Sequence, residues 1–122
     1  MEPLVAPTLA RWFTEPFRKA RPEVVEKVAA MIRTTPATGY AGCSHAIPKI
    51  NLTARLAEIR RPSLVIVGKD DPGTPVVMAE EIHRALPGSE LVIIASAAHL
   101  SNLEQPDAFN QALGNFLDKA DR

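Results

Sequence analysis

Cysteine is nearly absent from the 122-residue sequence. Cys43 stands alone, so no internal disulfide framework can form, and a single thiol fits a reducing compartment. No excess of one charge is present either. Fourteen Lys and Arg residues balance fourteen Asp and Glu residues, intermingled along the chain, which leaves no field for nucleic acid or an anionic membrane. Long apolar runs are missing: the longest candidate strands, Leu64 to Val67 and Leu91 to Ala95, fall far short of the roughly 20 residues that a spanning helix needs. The opening Met1-Glu2-Pro3-Leu4-Val5 carries an acid where a secretory leader carries positive charge. The three histidines, His45, His83 and His99, include no pair at the i, i+4 spacing of metal ligands. These absences predict a cytoplasmic protein without a metal, with neither nucleic acid nor membrane as partner.

What is present is the composition of an ordinary globular chain, 46% hydrophobic and 23% charged, with a length that argues for one domain or a piece of one. Eleven prolines punctuate it. Residues 1 to 60 carry helical patterning and no convincing strand. Pro22 to Ile32 starts with proline and an acid, and Val24, Val25, Val28, Met31 and Ile32 recur at spacings of three and four, which builds one apolar face. Thr35-Pro36 ends that helix, because the residue before proline avoids the α region. A shorter helix is expected from about Ala37 to Ala46, and one or two further turns between Leu52 and Ile59.

Past Arg60-Arg61-Pro62, the best boundary between residues 1–60 and 61–122, the pattern changes. Leu64-Val65-Ile66-Val67-Gly68 and Glu90-Leu91-Val92-Ile93-Ile94 are short continuous apolar runs, as expected of strands buried on both faces. A helix from Pro75 to Leu86 separates them. A last helix runs from Pro106 to Leu117, with Phe109, Leu113, Phe116 and Leu117 on its inner face. Strand, helix, strand, helix with short connections predicts an α/β fold with a parallel β-α-β-α unit. Ligands bind such sheets beyond the carboxyl ends of the strands. Asp71 follows the first strand and His99 the second, so two ionisable groups should meet on one rim.

An acid followed 28 residues later by a histidine, one per strand end, has the order of the last two members of a hydrolytic triad. A histidine can take a proton near neutral pH, and an acid beside it fixes the tautomer and stabilises the imidazolium. Gly68-Lys69-Asp70-Asp71-Pro72-Gly73-Thr74-Pro75 and Ala97-Ala98-His99-Leu100-Ser101-Asn102 resemble the acid and histidine turns of the α/β-hydrolase superfamily. There the acid commonly stands three residues after the strand-ending glycine, which selects Asp71 over Asp70.

Within that superfamily, Arg11-Trp12-Phe13-Thr14, Gly39-Tyr40-Ala41-Gly42-Cys43 and Ala98-His99-Leu100-Ser101-Asn102-Leu103-Glu104-Gln105-Pro106 resemble the 3-oxoadipate enol-lactonases, over about residues 9 to 117. The likeness departs after Cys43, where Pro48-Lys49 stands in place of a charged Arg-Asp stretch. The resemblance implies hydrolysis of 3-oxoadipate enol-lactone during aromatic-compound breakdown, without metal or cofactor. It also implies that residues 1–60 belong to a helical cap over the site, and residues 61–122 to the carboxyl-terminal part of the core. Arg11 and Trp12 would then serve an anionic lactone as cation and aromatic wall, with Leu100 touching the site by proximity to His99.

One part of the machinery has no counterpart. The fold needs a Gly-x-Ser-x-Gly elbow for its nucleophile, and that elbow also supplies part of the oxyanion hole. None of the six glycines makes one. Gly42-Cys43-Ser44-His45-Ala46 comes nearest, but nothing before it can form a buried strand and Pro48 cuts any helix after it. Ser44 therefore reads as an ordinary cap serine, Cys43 as a small packing residue, His83 as a mid-helix surface residue and Thr74-Pro75 as a helix start. The expectation is a carboxyl-terminal portion, inactive alone, that meets an amino-terminal hydrolase half or self-associates. The rival expectations are a non-catalytic remnant or binding module, and part of another cofactor-free hydrolase such as an esterase or haloperoxidase.

Overall fold

The structure, a computed structural model, describes residues 1–120. Helix α1 (Glu2–Trp12) buries Val5 and Thr8 and turns Leu9 and Trp12 the same way, a spacing of three to four that makes one inner face. Extended backbone at Phe13 ends it. Thr14 then caps α2 (Glu15–Ala20), its hydroxyl accepting from the Phe17 amide at 3.4 Å. Helix α3 (Pro22–Thr34) buries Val28, Ala29 and Ile32 and stops before Pro36. These three helices share a core of Val5, Phe13, Val28, Ala29 and Ile32, with Leu100 from the far end of the chain packed against it. Phe13, 1% exposed, is its largest wholly buried side chain.

Helix α4 (Ala37–Ala46) follows with the expected bounds, but it buries nothing. Two 3-10 segments, Ile47–Lys49 and Thr53–Glu58, complete the helical half. Cys43 is exposed on α4 and does not join the core.

The second half is the predicted alternation: β1 (Leu64–Gly68), α5 (Val76–Ala85), β2 (Glu90–Ile94), a four-residue α6 (Ser101–Glu104) and α7 (Pro106–Ala120). The strands run parallel, in register from Leu64 against Glu90 to Gly68 against Ile94. They form a two-stranded sheet, so the apolar runs of both strands are only partly covered. Only Val67 and Gly68 of β1 and Ile94 of β2 are buried, and Ile93 is 44% exposed, since two strands leave edges and part of a face uncovered. Helix α7 repeats the pattern: Phe109 and Phe116 are half-buried, whereas Leu113 and Leu117 stay exposed. His83 is half-buried rather than on the open surface. It lies in the last turn of α5, where Nδ1 and the Ser89 hydroxyl are 2.8 Å apart. Among the described residues, no helix is long and apolar enough to cross a membrane.

Candidate active site

The two strand ends are stitched to each other before any side chain is considered. The Lys69 amide donates to the Ile94 carbonyl at 2.8 Å and the Asp70 amide to the Ala97 carbonyl at 2.9 Å. Gly68 makes this approach feasible, because a Cβ there would collide with the carbonyl oxygens of Ala97 and Ala98. The histidine turn therefore crosses directly over the end of β1. It enters through Ser96, which holds a left-handed backbone at φ 53°.

On that rim, Asp71 is 5% exposed and His99 Nδ1 lies 2.8 Å from its Oδ2. The carboxylate is saturated: Oδ1 accepts from the amides of Gly73 (2.8 Å) and Thr74 (3.1 Å), and Oδ2 accepts from the Thr74 hydroxyl at 2.6 Å. Burial pushes the Asp71 carboxyl up, but the Thr74 hydroxyl and amide, the His99 ring and the Gly73 amide outweigh it and hold the group below the ordinary carboxylate value. An ionised Asp71 is an acceptor only, so Nδ1 of the neutral ring must carry the proton. That leaves the lone pair on Nε2, the arrangement that accepts a proton from a third group. The imidazole side chain is 40% exposed.

Trp12 stacks on the His99 ring, centroids 6.0 Å apart and planes inclined by 22°. Arg11, Trp12, Asp71, Gly73, Thr74 and His99 line one cleft of about 180 Å³. Among the described residues Arg11 has no salt-bridge partner, so its guanidinium is available to whatever enters. The structure thus brings Arg11, Trp12, Asp71 and His99 together.

It does not bring in the others. Leu100 faces away, into the helical core and a neighbouring groove shared with Val28, Met31 and Ile32, because its amide is tied to the Trp12 carbonyl at 3.1 Å. Asp70 lines a different and larger cavity of about 700 Å³, shared with Phe13 and Phe17, to which neither Asp71 nor His99 contributes. Ser44 and His45 sit in α4 and line none of these clefts. No group of three or more His, Cys, Asp or Glu side chains among the described residues could hold a metal ion.

Two residues of the site went unread in the sequence. Thr74 does more than precede a helix: its hydroxyl bonds Asp71 and stands 3.3 Å from His99 Nδ1. A threonine three residues after the acid is a local signal that could have been used. Glu104 is 6% exposed and accepts from the Ala98 amide (2.5 Å), the Thr14 amide (2.9 Å) and the Thr14 hydroxyl (2.7 Å). Its partners in α2's cap lie 90 residues away, and no local pattern announces them.

A parallel strand pair presenting a hydrogen-bonded acid and imidazole at its carboxyl rim defines a hydrolase-like class, and the family comparison agrees. The model of the α/β hydrolase fold family matches residues 3–106, and the chain belongs to that family. Among its relatives, 3-oxoadipate enol-lactonase 1 of Acinetobacter baylyi is 35% identical over 114 residues, covering 93% of this chain and 42% of that protein. The crystal structure of the enol-lactonase from Burkholderia xenovorans LB400 superposes with a TM-score of 0.93 at 31% identity, over 97% of this chain and 45% of that one. A thermophilic esterase from Thermogutta terrifontis, solved with malate bound, gives 0.89 at 31% identity, over 96% and 43%. The chain spans less than half the length of these relatives.

Proposed function

We propose that Asp71 and His99 are the acid and the base of a serine-hydrolase triad, in a chain equivalent to the carboxyl-terminal part of a 3-oxoadipate enol-lactonase. The observation that carries this reading is the 2.8 Å contact between His99 Nδ1 and a buried, ionised Asp71 at the carboxyl ends of two parallel strands. In this scheme His99 Nε2 takes the proton of a serine hydroxyl as that oxygen attacks the lactone carbonyl. It returns the proton to the leaving enol oxygen, and the cycle repeats with water. Asp71 keeps the proton on Nδ1 and balances the charge of the transient imidazolium. Trp12 forms an aromatic wall for a flat unsaturated lactone, and Arg11 offers a cation to a carboxylate on it. No metal or cofactor has a part in these steps.

The serine and the oxyanion hole come from outside this chain, since the sequence holds no Gly-x-Ser-x-Gly elbow. The free edge of β1, the exposed Ile93 and the apolar outer residues Val77, Met78 and Ile82 support a further half that covers them. Residues 1–60 act as cap and 61–122 as core in this reading. A lone cysteine agrees with a cytoplasmic setting.

The test is complementation. The chain alone should show no measurable lactone hydrolysis, because a triad works as a unit. Co-expression with the amino-terminal half of an enol-lactonase should restore it. Wild-type-like turnover by the purified chain alone would refute the scheme. A second reading, a non-catalytic binding module, is favoured by the missing elbow. It predicts lactone binding without turnover in the complemented sample.

A further inference from the structure

We propose that Glu104 is a positioning residue that sets the stack of Trp12 on His99, and so the aim of the imidazole. This deepens the triad reading and rests on it for its catalytic consequence, although the stack can be measured without any reaction.

The geometry is a clasp with one carboxylate at its centre. Oε1 accepts from the amide and hydroxyl of Thr14, two residues after Trp12. Oε2 accepts from the amide of Ala98, the residue before His99. Among the described residues, the other backbone tie between these two segments is the Leu100 amide on the Trp12 carbonyl. One hydrogen bond fixes a distance and leaves rotation free, whereas two ties flanking the ring pair fix its tilt. Removing Glu104 would leave the Leu100 bond as a hinge about which the indole and imidazole could turn.

The choice of a carboxylate also follows from its partners. All three are donors, and the two oxygens of a carboxylate can accept from them together. No cation lies among them, so the residue is not half of an ion pair, and its short helix α6 buries Ser101 and Glu104 but no apolar side chain. A glutamine has the same shape but only one oxygen. Whichever way it turned, its amino group would face an N–H that needs an acceptor.

Trp12 is the chain's single tryptophan, so its emission reports the stack. A protonated imidazole against an indole quenches its fluorescence, and lowering the pH protonates an imidazole. The intact chain should show a quenching step as the pH is lowered, absent in His99→Gln. Glu104→Ala, with its helix content verified by circular dichroism, should cut the amplitude of that step at least twofold, and Glu104→Gln by a smaller factor. Should Glu104→Ala fail to fold, Glu104→Gln and the pair Thr14→Ala and Thr14→Ser carry the test. Thr14→Ala loses a donor and should lower the amplitude, and Thr14→Ser keeps the hydroxyl and should restore it. Three results would overturn the proposal: no His99-dependent step in the intact chain, an unchanged amplitude in every folded Glu104 variant, or equal amplitudes in Thr14→Ala and Thr14→Ser. None of these readings uses turnover, so failed complementation and failure of the clasp are separate outcomes.

Discussion

Asp71 is held by its own neighbours, Gly73 and Thr74, whose amides and hydroxyl lie within three residues of it. His99 is held from a distance. Its turn is seated against Gly68, clasped by Glu104 to Thr14, tied through Leu100 to Trp12 and stacked under that indole. The two turns leave equivalent strand ends and arrive at the same rim, yet one is a self-contained loop and the other is a junction of three chain regions. A local loop can be built by a few residues of sequence, while a junction is only as good as the packing around it. Damage to the acid turn should therefore stay local, and damage to the histidine turn should spread into the helical half.

The comparison can be broken most forcefully in a complemented enzyme. Asp71→Asn there lets the ring reverse its tautomer, and kcat should drop by about 10⁴-fold with the fold intact. A loss below tenfold, measured by lactone hydrolysis, would show that the acid is dispensable. Next in size is Gly68→Ala. Its methyl group must displace the Ala97 and Ala98 carbonyls, at about 1–3 kcal/mol in urea unfolding, together with a change in Trp12 emission that reports the displaced histidine turn.

The pH dependence of stability comes third. The folded-state value of Asp71 lies below its unfolded value, so the unfolded chain binds more protons in that interval. The stabilisation is complete above the ordinary carboxylate value of about 4 and disappears as pH falls through the folded-state value. Thermal melts between pH 7 and 3 should show this loss, and Asp71→Asn should flatten it. Smallest is Thr74→Val, which deletes the hydroxyl bond and raises the Asp71 value towards normal. It should cost about 1 kcal/mol and leave the Trp12 emission step in place, the contrast expected of a self-contained turn.

The same contrast explains what the sequence disclosed. Both strands, α3, α4 and α5 were legible because periodicity and proline are local. The preference for Asp71 over Asp70 came from the resemblance to the superfamily's acid turn and not from periodicity; Asp71 is the one that meets His99, and Asp70 lines another cavity. The division of 1–21 into α1 and α2 was not foreseen, since it depends on Phe13 turning into the core. Leu100 was expected beside the cleft on chain proximity alone, and its tie to Trp12 turned it the other way. Cys43 was expected to pack because small thiols usually do, but every residue of α4, Cys43 included, is exposed. Glu104 stood in plain view in the histidine motif, with no sign that its partners lay 90 residues upstream.

The most direct test of the acid–imidazole pair is the nitrogen-15 spectrum of His99 at a pH where the ring is neutral. A proton on Nδ1, shifted downfield by its bond to Asp71, with Nε2 bare and with both features lost in Asp71→Asn, is the predicted result. A ring protonated on Nε2, or a spectrum indifferent to Asp71→Asn, would contradict it.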